Sequence, residues 1–174
     1  MARTVRQATP EAATTVREIA RESWHAAYDG FLGAERVSVI TDDWYSVEGL
    51  EASIADATDR NDATFSLALS EPLDSPEGRT VEGFAHASAP DDDSVASLHR
   101  LYVRPSAWGD GAGTALLERV ETDLQPACDR LRLTVFADNE IGVSFYDSSG
   151  FERIDIRERD LGDGLEEYVY EKPL

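Results

Sequence analysis

Three glycines at alternate positions, Gly109, Gly111 and Gly113, mark the most constrained stretch of this chain, Leu98 to Glu121. Ahead of them lies an apolar, strand-like run (Leu101, Tyr102, Val103) followed by Pro105. Behind them Ala112, Ala115, Leu116, Val120 and Leu124 recur at the spacing of one helix face, which Pro126 closes. A strand that passes through a glycine turn into a helix presents backbone N–H groups with no side chain over them. The helix adds its own unpaired N–H groups and the positive end of its dipole. Such a turn is an anion cradle, suited to the phosphates of a nucleotide-like cofactor. Glycines at a helix start are conformationally costly unless a ligand makes use of them.

At 174 residues the chain has room for one domain, spanning residues 1–174, with a substantial core. A hydrophobic content of 41% with regular patterning argues against disorder, despite 29% charged residues. No stretch approaches the roughly 20 apolar residues that span a bilayer, and the opening MARTVRQATPEAATT carries no signal-peptide run. Cys128 is the single cysteine, so no intramolecular disulfide forms, which fits a reducing cytoplasm. The expected location is therefore cytoplasmic, with no membrane partner.

The charge is lopsided, 35 acidic against 16 basic residues and a net charge of −19, and Lys172 is the single lysine. The acids are spread along the chain, with short clusters such as Asp91-Asp92-Asp93. One reading is attraction of cationic substrates such as polyamines or basic peptides. The other is a halophilic protein in salty cytoplasm, where a carboxylate-covered surface stays hydrated and molar salt abolishes most steering. Nucleic acid is excluded as a partner, since no cluster of Lys and Arg exists to neutralise phosphates.

Patterning along the chain gives an alternating order. Thr4 to Ala8 is a short strand, and Thr9-Pro10-Glu11 opens a helix with Thr9 at the N-cap and Pro10 at the first helical position. That helix fades near Asp29-Gly30; further helical stretches cover Gly33 to Ile40 and Asp42 to Thr58. Phe65 to Leu69 is a strand, followed by a loop marked by Pro72, Asp74, Pro76 and Gly78. Val81 to Ala89 and Val95 to Val103 form a hairpin joined by Ala89-Pro90-Asp91-Asp92-Asp93. After the glycine turn and its helix come a strand (Leu131, Leu133, Val135) and a short helix from Asn139 to Ser149, stopped by Gly150 in the left-handed conformation. A last hairpin pairs Phe151 to Arg157 with Leu165 to Glu171 around Gly162 to Gly164. The order β-α-α-α-β-β-β-α-β-α-β-β implies a mixed central sheet with helices on its faces.

Together with Val135-Phe136-Ala137-Asp138-Asn139 and Phe145-Tyr146-Asp147-Ser148-Ser149-Gly150-Phe151, the strand–glycine turn–helix run resembles the GNAT-type N-acetyltransferase superfamily, over most of the chain from Thr4 to about Glu171. The segment Ser23-Trp24-His25-Ala26-Ala27-Tyr28-Asp29-Gly30 is similar to branches that acetylate protein N-termini or small amines. The resemblance implies an α/β (α+β) fold with a mixed, mostly antiparallel sheet flanked by helices. It also implies acetyl-CoA as co-substrate, no metal, and acetyl transfer to a primary amine in a ternary complex. The acceptor it implies is a small amine or a protein N-terminal or lysine amine.

By the same resemblance the pyrophosphate loop is Trp108-Gly109-Asp110-Gly111-Ala112-Gly113, continued by Thr114. Trp108 stands where the family has Gln or Arg, which puts side-chain reinforcement of the loop in doubt while leaving the backbone cradle intact. Leu101, Tyr102 and Val103 form the strand along which the pantetheine arm lies, the backbones of Leu101 and Val103 pairing with it like an added strand. One of their N–H groups polarises the thioester carbonyl. Asn139 matches the cofactor-contacting Asn, and Tyr146 the tyrosine that protonates the departing thiolate.

The strand before the glycine turn carries Ser97 and His99 but no carboxylate, so the family's usual glutamate base is absent. His99 is the first substitute, since an ordinary imidazole pKa of about 6.5 suits proton pickup near neutrality. Glu82, on the preceding strand, is the second, acting through water. Trp24, His25 and Tyr28 either line the acceptor pocket or form a core stripe; Trp44 and Tyr45 carry the same alternatives. The competing reading of the whole is an acyl-CoA-binding sensor without turnover. The open sheet edges and helices leave a homodimer available.

Overall fold

Strand β4 (Val95–Val103) organises the molecule, because it is paired along its length on one side and only at its start on the other. The computed structural model describes residues 4–70, 80–89, 94–159 and 165–174. The expected loop at Pro72 to Gly78, the Pro90 to Asp93 connection and the Gly162 to Gly164 turn lie outside the described residues.

Seven strands make one sheet, in the order β1 (Thr4–Gln7), β2 (Ala63–Leu69), β3 (Val81–Ser88), β4, β5 (Arg130–Phe136), β7 (Leu165–Pro173) and β6 (Glu152–Arg159). Every neighbouring pair is antiparallel except β4 and β5. The sheet is thus mixed and mostly antiparallel, as the family resemblance implied.

Two apolar layers cover its faces. Helices α1 (Ala13–Leu32), α2 (Ala34–Trp44) and α3 (Val47–Asp59) bury Val16, Ile19, Trp24, Val37, Leu50 and Ile54 with Phe65 and Phe84 on one face. Helix α4 (Ala112–Leu124) buries Leu116, Leu117, Val120 and Leu124 on the other, and Tyr146 of α5 (Glu140–Ser148) joins that cluster. Fully burying a side chain of this size stabilises by roughly 1.5–3 kcal/mol, so these two stripes hold the layers together.

The helix ends differ from expectation in specific ways. Thr9 precedes a 3-10 turn, Pro10–Ala12, without a side-chain cap bond. Helix α1 runs on through Gly30 and stops at Gly33, whose φ of 89° no other residue adopts cheaply. Helix α2 extends to Trp44; the boundary before α3 is set by Ser46, whose hydroxyl accepts the Gly49 N–H at 3.1 Å.

Candidate active site

The ladder between β4 and β5 consists of Val95–Arg130, Ala96–Leu131 and Ser97–Arg132, and then stops. Beyond it the two strands splay. A bulge marks the point of departure: His86 pairs with Arg100 and Ala87 with Leu98, leaving His99 as the extra residue. The splay opens a cleft of about 740 Å³ lined by both strands, the glycine turn, α1 and α5.

Backbone alternation decides which groups face this cleft. The Arg104 N–H donates to Glu82 on β3, so Tyr102 and Arg104 turn their polar groups toward β3, and Leu101 and Val103 turn theirs outward. With β5 splayed away, the Leu101 and Val103 N–H groups have no ladder partner. The Val103 carbonyl accepts the Trp108 indole N–H at 2.7 Å. Trp108 therefore ties the loop to the strand, a reinforcement chemically unlike the Gln or Arg of the family pattern.

The turn that follows is a 3-10 segment, Pro105–Ala107, then Gly109 at φ 81° and Gly111 at φ 90°. The first bond into α4 runs from the Ala115 N–H to the Gly111 carbonyl at 3.0 Å. The Ala112, Gly113 and Thr114 N–H groups precede it and make no backbone hydrogen bond among the described residues. At Gly113 a Cβ would lie 3.3 Å from the Phe145 ring, so glycine lets α4 start hard against α5. Unpaired N–H groups, a dipole end and two orphaned strand groups fit a pyrophosphate followed by an amide-bearing arm.

Asn139 caps α5, its Oδ1 accepting the Gly142 N–H at 3.0 Å, while its Nδ2 donates to the Tyr28 hydroxyl at 3.3 Å. It therefore fixes α5 against α1 at the cleft floor. Tyr146, one turn and a half along α5, is 9% exposed and lines the cleft. Its hydroxyl makes no hydrogen bond to the described residues, and burial holds its pKa well above the ordinary value of 10. It stays protonated at any working pH.

Trp24 and Tyr28 are core and cleft wall at once, at 2% and 4% exposure, in a ring cluster with Tyr45, Tyr102 and Phe136. The Trp24 indole N–H donates to the Tyr45 hydroxyl at 3.1 Å. Burial raises the pKa of Tyr28, Tyr45 and Tyr102 above 10, so the wall is neutral.

His99 also lines the cleft, with Nε2 2.7 Å from the Ser88 hydroxyl and its ring 4.9 Å from that of His86. Burial first, then the positive Arg100 and Arg60, lower its pKa below 6.5, so it is a neutral imidazole near pH 7.

Three expected residues stand elsewhere. Glu82 lies on β3, and β4 separates it from the splay. His25 points away from the cleft, bonded to Asp29 at 2.8 Å and to Ser38 at 3.4 Å. Asp110 is an exposed turn residue outside the lining. Two charged residues enter that sequence reading missed, Arg100 on β4 and Glu167 on β7. Each sits in an ordinary strand pattern, and the β4–β5 splay, invisible in sequence, is what exposes them to the cleft. No group of three His, Cys, Asp or Glu side chains that could hold a metal ion occurs among the described residues.

Comparison with known proteins agrees with this geometry. The family model described as Acetyltransferase (GNAT) family matches residues 34–151. A spermidine N(1)-acetyltransferase of Thermoplasma acidophilum is 29% identical over 168 residues, covering 96% of this chain and 97% of the relative. The crystal structure of PaiA N-acetyltransferase from the same organism, in complex with coenzyme A, superposes with a TM-score of 0.82 at 27% identity, covering all of both chains. A phosphinothricin acetyltransferase of Sinorhizobium meliloti, in complex with acetyl-CoA, shares the fold at 22% identity with a TM-score of 0.75, covering 100% of this chain and 89% of that one.

Proposed function

The chain belongs to the GNAT acetyltransferase family and is an acetyl-CoA-dependent N-acetyltransferase; from that premise we propose that it passes the acetyl group directly to a primary amine held in the same cleft. The observation that carries this reading is the break in the β4–β5 ladder, which leaves a strand-shaped slot ending beside Tyr146. Bound acetyl-CoA supplies the activated acyl group. The protein's residues do the rest.

The N–H groups of Ala112, Gly113 and Thr114 hold the pyrophosphate, and Leu101 and Val103 pair with the pantetheine amides, one of their N–H groups polarising the thioester carbonyl. Asn139 positions α5 below the arm. His99 takes one proton from the acceptor ammonium, so that the nitrogen lone pair is available for the carbonyl carbon. As the C–N bond forms and the C–S bond breaks, Tyr146 gives its proton to the departing sulfur. It recovers one from the new amide nitrogen, and the proton on His99 passes to solvent. Cys128 takes no part, being 4% exposed in the core between α4 and the sheet.

The acceptor is a small primary amine, supported by the neutral aromatic wall of Trp24, Tyr28 and Tyr45, which suits an alkylamine chain. Spermidine, named for the Thermoplasma relative, is the first amine to assay. The proposed setting is a salt-rich cytoplasm, on the strength of the net charge of −19. Tyr146→Phe tests the chemistry. It should lower kcat by about 100-fold or more while acetyl-CoA affinity stays within about threefold; equal loss of both would remove Tyr146 from the proton path.

A further inference from the structure

The charges inside the cleft are few and opposite. Among the described lining residues Arg100 is the one guanidinium or ammonium, and Glu167 the one carboxylate. Arg100 differs from six of the other arginines of this acid-rich chain. Arg17, Arg60, Arg104, Arg119, Arg130 and Arg132 each meet an aspartate or glutamate within 3.1 Å. Arg100 has no carboxylate partner among the described residues. Its Nη2 reaches the Trp44 carbonyl at 3.5 Å, its guanidinium lies 5.2 Å from the Tyr45 ring centre, and its Nη1 is buried with no hydrogen bond at all.

A buried cationic donor without a partner is expensive, and a protein with 35 acidic residues had many ways to satisfy it. The neighbours do not compensate. His86, directly opposite on β3, is neutral, burial having pushed its pKa to about 3. CoA phosphates do not reach it either, since the cradle that fits them belongs to α4 on the other face of the sheet, while Arg100 packs against Trp44 and Tyr45 at the end of α2. What remains is the acceptor.

Resting on the acetyl-transfer reading above, we infer that the acceptor is a zwitterion, an amine that also carries a carboxylate, with the carboxylate on Arg100 and the ammonium toward Glu167. Glu167 is 9% exposed on β7, opposite Phe136 of β5, and shares the α1–α2 face with Arg100. A site built for a polyamine would present several carboxylates and no unpaired guanidinium. One cation and one anion across an aromatic channel match an amino acid or a close analogue.

Matched acceptors test this: lysine against cadaverine, ornithine against putrescine, phenylalanine against phenethylamine, with spermidine alongside, each read as CoA thiol release. The carboxylated member of each pair should have the higher kcat/KM. Arg100→Gln should raise KM for it by about 30- to 4000-fold, the range for truncating one side of a buried charge pair. The decarboxylated partner should shift by less than about threefold, with acetyl-CoA affinity unchanged, and Arg100→Lys should restore part of the loss. A preference for the decarboxylated amines or spermidine, or an equal effect of Arg100→Gln on both members, overturns the inference and leaves acetyl transfer standing. An enzyme that binds acetyl-CoA but acetylates no amine contradicts the function itself, and this inference with it.

Discussion

On the β4 bulge, the His99 ring rests between the Ser88 hydroxyl and the His86 ring, and burial keeps it neutral below the ordinary histidine range. A base works only when unprotonated. Because its pKa is lowered in the ligand-free protein, kcat/KM should hold constant as pH falls through 7 and drop only on the acid side of a free imidazole. Tyr146 adds no alkaline limb in the working range, since its pKa is raised. His99→Gln should lower the plateau and abolish that limb; a pH profile of kcat/KM identical to that of the parent would exclude His99. Tyr146 and Asn139 were legible because a motif fixes both, one as the ring beneath the cleft and the other as a cap with a sequence signature. Arg100 and Glu167 were not, because a charged residue in a strand reads as surface until the neighbouring strand is known to leave.

At the scale of elements, site and fold meet in the turn between β4 and α4. The Trp108 indole bonds the end of β4 to the start of the cradle, so the strand edge and the helix N-terminus move as one body. Trp108→Phe keeps the packing and deletes that single hydrogen bond, which is worth about 0.5–1.5 kcal/mol. It should weaken acetyl-CoA binding by about 3- to 10-fold in calorimetry, with unchanged secondary structure by circular dichroism. No loss of affinity would mean the loop is held by its glycines and Pro105 alone. Element order and type were readable throughout, from hydrophobic period and turn residues, including the hairpin of β3 and β4 and the Gly150 stop after α5. Helix ends were less so. Gly30 looks like a stop and is passed through, because Leu32 beyond it is buried in the same cluster as the rest of α1 and Phe31 packs against that cluster. The boundary between α2 and α3 rests on one serine cap, a signal weaker than the apolar period on either side.

The whole molecule works by interrupting one sheet. Two apolar layers hold seven strands together, yet the single parallel pair comes apart after three residue pairs, and the groups proposed to act line that opening. A net charge of −19 surrounds it, so in dilute buffer the chain repels both itself and an anionic ligand, whereas at molar salt the screening length falls to roughly 3 Å. The cradle should therefore be measured in multimolar KCl, by calorimetric titration of acetyl-CoA into the parent protein and into Thr114→Glu. That substitution places a carboxylate at the start of α4, where it favours the helix and repels phosphate. The parent should bind with micromolar affinity and the variant at least about 100-fold more weakly at an equal Tm. Equal binding by both, or none by a folded parent, would contradict the placement of the cofactor in the splay between β4 and β5.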